Sequence, residues 1–151
     1  DHRSRPAGRR FTAAALARLP ETHNDAIQTI GGSNIRVVGN TLLAYNARTD
    51  DPMNGAIQTG RLHSPLSGMV VAGNYLDGGS YTIRGGAGPR DGHLIRDYVF
   101  RDNVIGRNCM YGPVDGVQSP VTWESSNRWA DTGQVIGLDT KANKKRCTQT
   151  P

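Results

Sequence analysis

The residue types that could do chemistry in this chain fall into four groups, and the first is an imidazole beside a carboxylate. His23 and Asp25 are two residues apart. On a β-strand that spacing puts both side chains on one face, where they could act as an acid–base pair. The alternative, which we favour, is structural: a carboxylate near a turn commonly accepts hydrogen bonds from backbone N–H groups. The pair alone therefore does not predict a reaction.

A second group would suit β-elimination in a uronate, which needs a base to take the proton beside the carboxylate and a cation to stabilise the enolate. Arg84 and His63 are the pair that we favour for these catalytic roles, and His23 with Asp25 is the rival pair. Arg61 is a further substrate-binding cation. The glycine-rich loop that ends at Arg90 lacks the Lys-Ser/Thr of a phosphate-binding loop, so nucleotide binding is not predicted. No spacing among these residues is specific to one reaction.

A third group is a column of polar side chains, each directly following an apolar residue in the repeat described below. The column consists of Gln28, Gln58, Arg84 and Asp115. Its amide and guanidinium groups could hydrogen-bond to sugar hydroxyls and uronate carboxylates. Tyr81 and Tyr111 occur nearby and could stack on sugar rings, although either could fill the core instead. A plain solvated β-sheet face is the alternative interpretation.

The fourth group is the acidic pair Asp50 and Asp51, which precedes a proline. The repeat places Asp51 above Glu21, and stacked carboxylates could bind Ca²⁺ through their oxygen atoms. If separated by about 5 to 10 Å, they could also supply the acid and base of a glycosidase. Asp-Asp-Pro is, however, typical of turns, and that is the interpretation we favour.

An internal repeat indicates which elements position these residues. Asn24-Asp25-Ala26-Ile27-Gln28-Thr29 returns as Asn54-Gly55-Ala56-Ile57-Gln58-Thr59, with five identities in six positions at an offset of 30. Fainter copies begin at Tyr81 and Tyr111. Each copy precedes a second element around a recurring asparagine: Asn40, Asn74, Asn103 and Asn127. Apolar residues lie five and three positions before the asparagine and two after it, namely Ile35, Val37, Leu42; Met69, Val71, Leu76; and Tyr98, Phe100, Ile105.

Period-two alternation predicts strands, and the asparagine marks a corner where the chain turns. A short unit of this kind cannot bury its apolar face alone, so we expect the units to stack as parallel strands about 4.8 Å apart. The predicted fold is all-β: a short right-handed parallel β-helix of about four coils, with an asparagine ladder along one corner. A β-sandwich with coincidental turns is the alternative.

We expect three regions. Residues 1–22 form a basic N-terminal segment in which Thr12 begins a short helix over residues 12–19 that caps the solenoid; the helix could instead belong to a larger neighbouring domain. Residues 23–136 form the β-helix, and residues 137–151 form a basic C-terminal tail. The chain begins at Asp1, from which we expect a processed form or a piece of a longer protein.

Several segments resemble right-handed parallel β-helix domains of the pectate-lyase-like superfamily, found in secreted actinobacterial proteins and some phage tail proteins. The likeness covers residues 23–136 and is carried by HNDAIQ (23–28), SNIRVVGNT (33–41), YGP (111–113), VTW (121–123) and NRWADTG (127–133). It implies the fold but no single activity, because such domains include lyases, epimerases, hydrolases and non-catalytic binders. One residue more than expected separates Trp123 from Asn127, and the domain is short for this superfamily.

Composition bounds the partners. The formal charge is +5, but a cluster of four basic residues lies near each end, and without these eight residues the charge becomes negative. They are Arg3, Arg5, Arg9 and Arg10, and Lys141, Lys144, Lys145 and Arg146. We interpret the clusters as solvated tails, so nucleic acid is not an expected partner. No stretch is apolar enough to span a membrane. Cys109 and Cys147 could form a disulfide bond or remain free thiols, and a bond would indicate an oxidising compartment.

The sequence therefore predicts a secreted β-helix domain that binds or modifies carbohydrate. An acidic polysaccharide is the expected ligand, a lyase or epimerase reaction the expected chemistry if the domain is an enzyme, and Ca²⁺ a possible cofactor. A homo-oligomer is also compatible with so short a solenoid. The alternative function is a non-catalytic structural module of a phage tail or a surface protein.

Overall fold

The computed structural model describes residues 24–51, 53–87, 92–138 and 147, and every regular element in this part of the chain is a β-strand. In chain order the strands are β1 (Asp25–Thr29), β2 (Gly32–Ser33), β3 (Arg36–Val38), β4 (Thr41–Ala44), β5 (Gly55–Thr59), β6 (Leu66–Ala72), β7 (Tyr75–Gly78), β8 (Tyr81–Arg84), β9 (Ile95–Arg101), β10 (Val104–Ile105), β11 (Gly112–Asp115), β12 (Val121–Trp123) and β13 (Arg128–Trp129).

The strands form three parallel sheets. Sheet A has the order β1-β5-β8-β11, sheet B the order β12-β9-β6-β2 with β3 also paired to β6, and sheet C the order β13-β10-β7-β4. The chain visits sheets A, B and C in turn, so β1–β4, β5–β7, β8–β10 and β11–β13 are four successive coils, named coil 1 to coil 4 below. This all-β arrangement is compatible with a parallel β-helix, and the predicted repeat is confirmed.

The register of sheet A follows the repeat residue by residue. Ile27 pairs with Ile57, which pairs with Ile83 on the next coil, and Ile83 pairs with Val114. Because equivalent positions stack directly on one another, a side chain in one copy of the repeat contacts its counterparts in the copies before and after it. The sequence repeat is thus the cause of the register.

The apolar columns predicted from the asparagine spacing point into the core. In coils 2 and 3 these residues are buried, and in coil 1 Val37 is buried while Ile35 and Leu42 are only partly buried. Coil 1 is the first coil of the described stack, so its residues have a neighbouring coil on one side only. Tyr98 places its hydroxyl 2.7 Å from Thr59 Oγ1 inside the core, and burial raises the pKa of the Tyr98 phenol above its ordinary value.

The four corner asparagines form the predicted ladder. Asn74 Oδ1 accepts hydrogen bonds from the backbone N and Nδ2 of Asn40, at 2.9 and 3.2 Å. Asn103 Oδ1 accepts the same two groups of Asn74, at 3.1 and 2.9 Å. Asn127 Oδ1 does so for Asn103, at 3.1 and 2.9 Å. The side chains of Asn74, Asn103 and Asn127 are buried, so the ladder is an internal polar spine.

The ladder ends at coil 4, where the extra residue before Asn127 makes a turn. The Glu124 carbonyl accepts the backbone N–H of Asn127 at 3.3 Å and its Nδ2 at 2.8 Å. The chain then folds back over this end: Trp129 N donates to Gln134 O, and Trp123 Nε1 donates to Ile136 O at 2.7 Å. The C-terminal end of the stack is therefore closed by the chain itself.

The helix predicted over residues 12–19 and residue His23 lie outside the described residues, as do residues 139–146. Cys147, which follows them, is disulfide-bonded to Cys109 with a Cα–Cα distance of 5.3 Å. Of the two states left open by the sequence, the structure has the bond. On the chain-entropy model a loop of this size stabilises the fold by about 4 kcal/mol. Among the described residues no helix is long and apolar enough to cross a membrane.

Candidate functional site

The outer face of sheet A carries the polar column predicted from the repeat. Gln28 pairs with Gln58, which pairs with Arg84, and Arg84 pairs with Asp115. Alternation explains the direction of these side chains, since the residue before each of them lies in the core. Gln28 and Asp115 at the two ends are exposed, whereas Gln58 and Arg84 in the middle are partly covered.

Arg84 and the two tyrosines are brought together. The Arg84 guanidinium carbon lies 5.3 Å from the centre of the Tyr81 ring, and the Tyr81 and Tyr111 ring centres are 5.8 Å apart with the planes tilted by 47°. The first distance is within the range of a cation–π interaction. Neither tyrosine belongs to the buried core, and Tyr111 is 50% exposed. This arrangement leaves an aromatic surface beside a cation at the face of the sheet.

Within residues 24–51, 53–87, 92–138 and 147, two buried polar atoms of this face have no hydrogen-bond partner: Gln58 Oε1 and Arg84 Nε. They belong to paired residues on neighbouring strands, whose backbones are about 4.8 Å apart. A buried donor or acceptor without a partner costs about 1–3 kcal/mol, and proteins rarely retain one without a reason. One is a donor and the other an acceptor, on adjacent strands of the same face, and a hydroxyl group can hydrogen-bond in both of these roles.

A hydrogen-bonded chain that the sequence did not reveal supports Arg84. Arg84 Nη2 donates to Ser80 Oγ at 3.1 Å, and Ser80 Oγ donates to the Asn54 carbonyl at 3.0 Å. Asn54 Nδ2 then donates to Asp25 Oδ1 at 2.8 Å. The available signal was positional: because Ile57 pairs with Ile83, Ser80 occupies the position of Asn54 in the repeat.

Asp25 therefore takes part in a polar network through the Asn54 side chain. This donor is a side-chain amide; the structural role that we favoured, acceptance of backbone N–H groups, stays a prediction. Gly55 stands where the first copy of the repeat has Asp25, and a Cβ there would lie 3.3 Å from Asp25 Oδ1 and 3.2 Å from the Tyr81 carbonyl oxygen. The small residue leaves room for the carboxylate. The acid–base pairing with His23 remains a prediction, because His23 lies outside the described residues.

His63 and Arg61 lie on the connection between β5 and β6. His63 is exposed and its backbone N–H donates to the Ile30 carbonyl at 3.1 Å, while Arg61 Nη1 donates to the His93 carbonyl at 3.0 Å. Within the part of the chain that the structure describes, no hydrogen bond or ring contact joins His63 to Arg84. The roles predicted for these two residues, a base and a cation that both act on the substrate, stay a prediction.

Asp50 and Asp51 are engaged in a turn. Asp50 Oδ1 accepts the Tyr45 hydroxyl at 2.6 Å, a bond that raises the pKa of Tyr45, and Asp51 Oδ1 accepts the Met53 N–H at 2.9 Å. Glu21, the predicted neighbour of Asp51, lies outside the described residues. Across residues 24–51, 53–87, 92–138 and 147, no group of three or more His, Cys, Asp or Glu side chains is arranged to hold a metal ion. Ca²⁺ binding at this turn stays a prediction.

Comparison of the chain with protein-family profiles, with curated proteins and with solved structures finds no match. The resemblance to pectate-lyase-like domains therefore depends on the residues quoted above and on the parallel three-sheet arrangement. The polar and aromatic side chains on the outer face of sheet A are the observations that bear on function.

Proposed function

We propose that this chain is a secreted carbohydrate-binding domain with a right-handed, pectate-lyase-like β-helix fold, and that it binds a sugar chain on the outer face of sheet A. The observation that carries the proposal is the unpartnered pair Gln58 Oε1 and Arg84 Nε, next to the Tyr81–Tyr111 rings. Both atoms are covered in the free protein, so a ligand can supply the missing hydrogen bonds only when the groups that cover them move aside.

The chemistry of the face suits a sugar carrying carboxylates. A guanidinium hydrogen-bonds strongly to a carboxylate, an amide oxygen accepts a hydroxyl proton, and an exposed tyrosine ring stacks on the apolar face of a pyranose. An acidic polysaccharide offers all three partners in each residue. The Cys109–Cys147 bond supports the secreted location, because disulfides persist in oxidising compartments.

Binding without turnover is favoured over a lyase or epimerase reaction. A β-elimination needs a base within hydrogen-bond reach of the substrate proton, and a cation beside the substrate carboxylate to stabilise the enolate. The described contacts of the Arg84 side chain are with the Ser80 hydroxyl and the Tyr81 ring, and none is with His63, the base that we predicted. We therefore assign Arg84 to ligand recognition.

The test is titration calorimetry with polygalacturonate, alginate and a neutral galactan, using the wild type and matched variants. R84A removes the charged donor of the face, and we expect a loss of affinity for the acidic polymers of about tenfold to a hundredfold. R36A is the control, since Arg36 is an exposed arginine on sheet B and carries the same charge.

Three outcomes decide. Loss in R84A with wild-type binding in R36A supports the proposal. Equal losses in both variants would show non-specific attraction to a cationic protein, and failure of the wild type to bind any polymer of the panel would remove the proposal. An increase in ultraviolet absorbance during incubation, from the unsaturated product of β-elimination, would establish a lyase in its place.

A further inference from the structure

The chain of hydrogen bonds behind Arg84 runs along the solenoid axis through three coils. It starts at the Arg84 guanidinium in coil 3, passes through Ser80 Oγ and the Asn54 amide groups, and ends at the Asp25 carboxylate in coil 1. The first bond lies within coil 3, and the next two lead to coil 2 and then to coil 1. The Ser80 hydroxyl accepts from the Arg84 guanidinium while it donates to the Asn54 carbonyl, so these two bonds polarise each other. The third bond belongs to the Asn54 side chain and ends at an acidic group.

Within this series of hydrogen bonds, Ser80 is the residue that bonds Arg84 directly. It lies four residues before Arg84, immediately before strand β8, and the guanidinium lies back over the Tyr81 ring to reach it. An arginine side chain has many rotamers, and a binding partner that must first order such a side chain loses affinity. A hydroxyl that already holds the guanidinium in place removes much of that loss.

We propose that Ser80 is the positioning residue of the site: its hydroxyl fixes the Arg84 guanidinium over the Tyr81 ring. The Asn54 carbonyl holds this hydroxyl, and Asp25 holds the Asn54 side chain. This inference rests on the proposed carbohydrate-binding function of the same face. It assigns Asp25 a place in recognition without contact to ligand, in contrast to the acid–base role considered from its sequence spacing. Ser80 acts only through Arg84.

The experiment is a double-mutant cycle, with galacturonate hexasaccharide as the probe. We expect S80A to weaken binding by about threefold to tenfold in the wild-type background, the cost of ordering one long side chain. In an R84A background the same change should have no further effect, because the side chain that Ser80 holds is gone. S67A, a serine-to-alanine change on sheet B, is the control and should leave affinity unchanged.

S80T and S80V form a second matched pair, since threonine and valine have the same shape and both suit a strand. S80T keeps the hydroxyl and should restore wild-type affinity, whereas S80V should behave as S80A. The pair also guards against a variant that fails to fold, because a purely steric defect would appear in both.

A spectroscopic measurement separates this inference from the proposed function. The ¹⁵N–¹H signal of Arg84 Nε, assigned by its loss in R84A, reports whether the guanidinium is held. We expect the signal to be sharp in the wild type and S80T and to broaden or disappear in S80A and S80V.

If the wild type binds no probe but the signal responds in this way, the carbohydrate proposal fails while the positioning role stands. A signal unchanged by S80V, or an S80A effect of equal size in the R84A background, overturns the positioning role even where the probe binds.

Discussion

Two columns of polar side chains run along this solenoid, and they differ in how completely their hydrogen bonds are made. In the corner ladder, each of the three acceptor amides, in Asn74, Asn103 and Asn127, receives two hydrogen bonds through Oδ1 and also donates through Nδ2 to a backbone carbonyl. On the outer face of sheet A, the same stacking pairs Gln58 with Arg84, and one buried atom of each has no hydrogen-bond partner in the part of the chain that the structure describes.

The difference distinguishes stability from function. A fully satisfied buried network rigidifies a fold and specifies the register of its coils, whereas a buried polar atom without a partner destabilises the fold. Both columns arise from the same repeat. The ladder is therefore explained by folding alone, and the outer face of sheet A is not.

The largest expected effect comes from breaking the ladder in its middle. Replacing Asn103 by leucine leaves the Val71 carbonyl and the N–H and Nδ2 groups of Asn74 without their partner. We expect N103L to lower the free energy of unfolding by about 3 kcal/mol, the sum expected for several buried groups left unpaired. Urea denaturation measures it, and a loss below about 1 kcal/mol would show that the ladder is dispensable.

Removing the buried hydrogen bond between Tyr98 and Thr59, on the inner side of strand β5, should lower the free energy of unfolding by less. Y98F removes the hydroxyl that bonds Thr59 Oγ1, and we expect it to cost about 1 kcal/mol at neutral pH. Burial raises the pKa of Tyr98 in the folded state, so its contribution to stability is complete below the ordinary phenol pKa of about 10 and is lost as pH rises above that value. Unfolding curves of wild type and Y98F should therefore converge in alkali; a gap that stays constant would contradict this.

The sharpest test of the comparison is a variant of the outer face that should not lower the free energy of unfolding. Q58M keeps the length of the side chain and removes the unpartnered oxygen, so we expect the free energy of unfolding to stay the same or rise by about 1 kcal/mol, while carbohydrate binding weakens. The same denaturation and calorimetry measurements give both numbers. If Q58M destabilises the protein as N103L does, Gln58 belongs with the structural column after all.

An exposed pair provides the reference with the smallest effect. Arg107 bonds Asp131 through its guanidinium, lies 3.7 Å from the Trp129 ring centre and lowers the pKa of the Asp131 carboxyl. Because the folded-state pKa is lowered, the stability that Asp131 contributes is present at neutral pH and is lost as pH falls through the folded-state pKa. D131N should melt slightly below the wild type at neutral pH and together with it in acid. A difference that persists in acid would point to packing.

Most of the fold could be predicted from the sequence because its determinants are local and repeated. Alternation assigned Val71 and Phe100 to the core, and the recurring asparagine placed Asn74 and Asn103 at one corner, all as the structure has them. The extra residue before Asn127 was visible as a departure from the spacing. That it forms a turn whose Glu124 carbonyl terminates the ladder could be seen only from the hydrogen bonds of the structure.

The site could be predicted only as a list of neighbours. Spacing aligned Gln58 with Arg84, but the contact with Ser80 depends on the side-chain rotamer that Arg84 adopts, which no periodicity encodes. The sequence also did not reveal that Asp77 is buried, with its carboxylate accepting the backbone N–H and Nδ2 of Asn108 at 2.9 and 2.6 Å. Asn108 is 31 residues away on an irregular connection, where the repeat gives no register.

The asparagine ladder also has a direction, which bears on how such a solenoid changes length. Each acceptor oxygen serves the coil before it, so every interface between adjacent coils along this corner has the same donors on one side and the same acceptor on the other. A duplicated coil inserted between two existing coils would therefore meet asparagine donors on the coil before it and an asparagine acceptor on the coil after it. At coil 4 the Glu124 carbonyl already occupies the donors of Asn127, so growth there requires the terminating turn to be removed first. Internal duplication of a coil, with the C-terminal turn unchanged, is therefore one way in which this geometry permits the solenoid to change length.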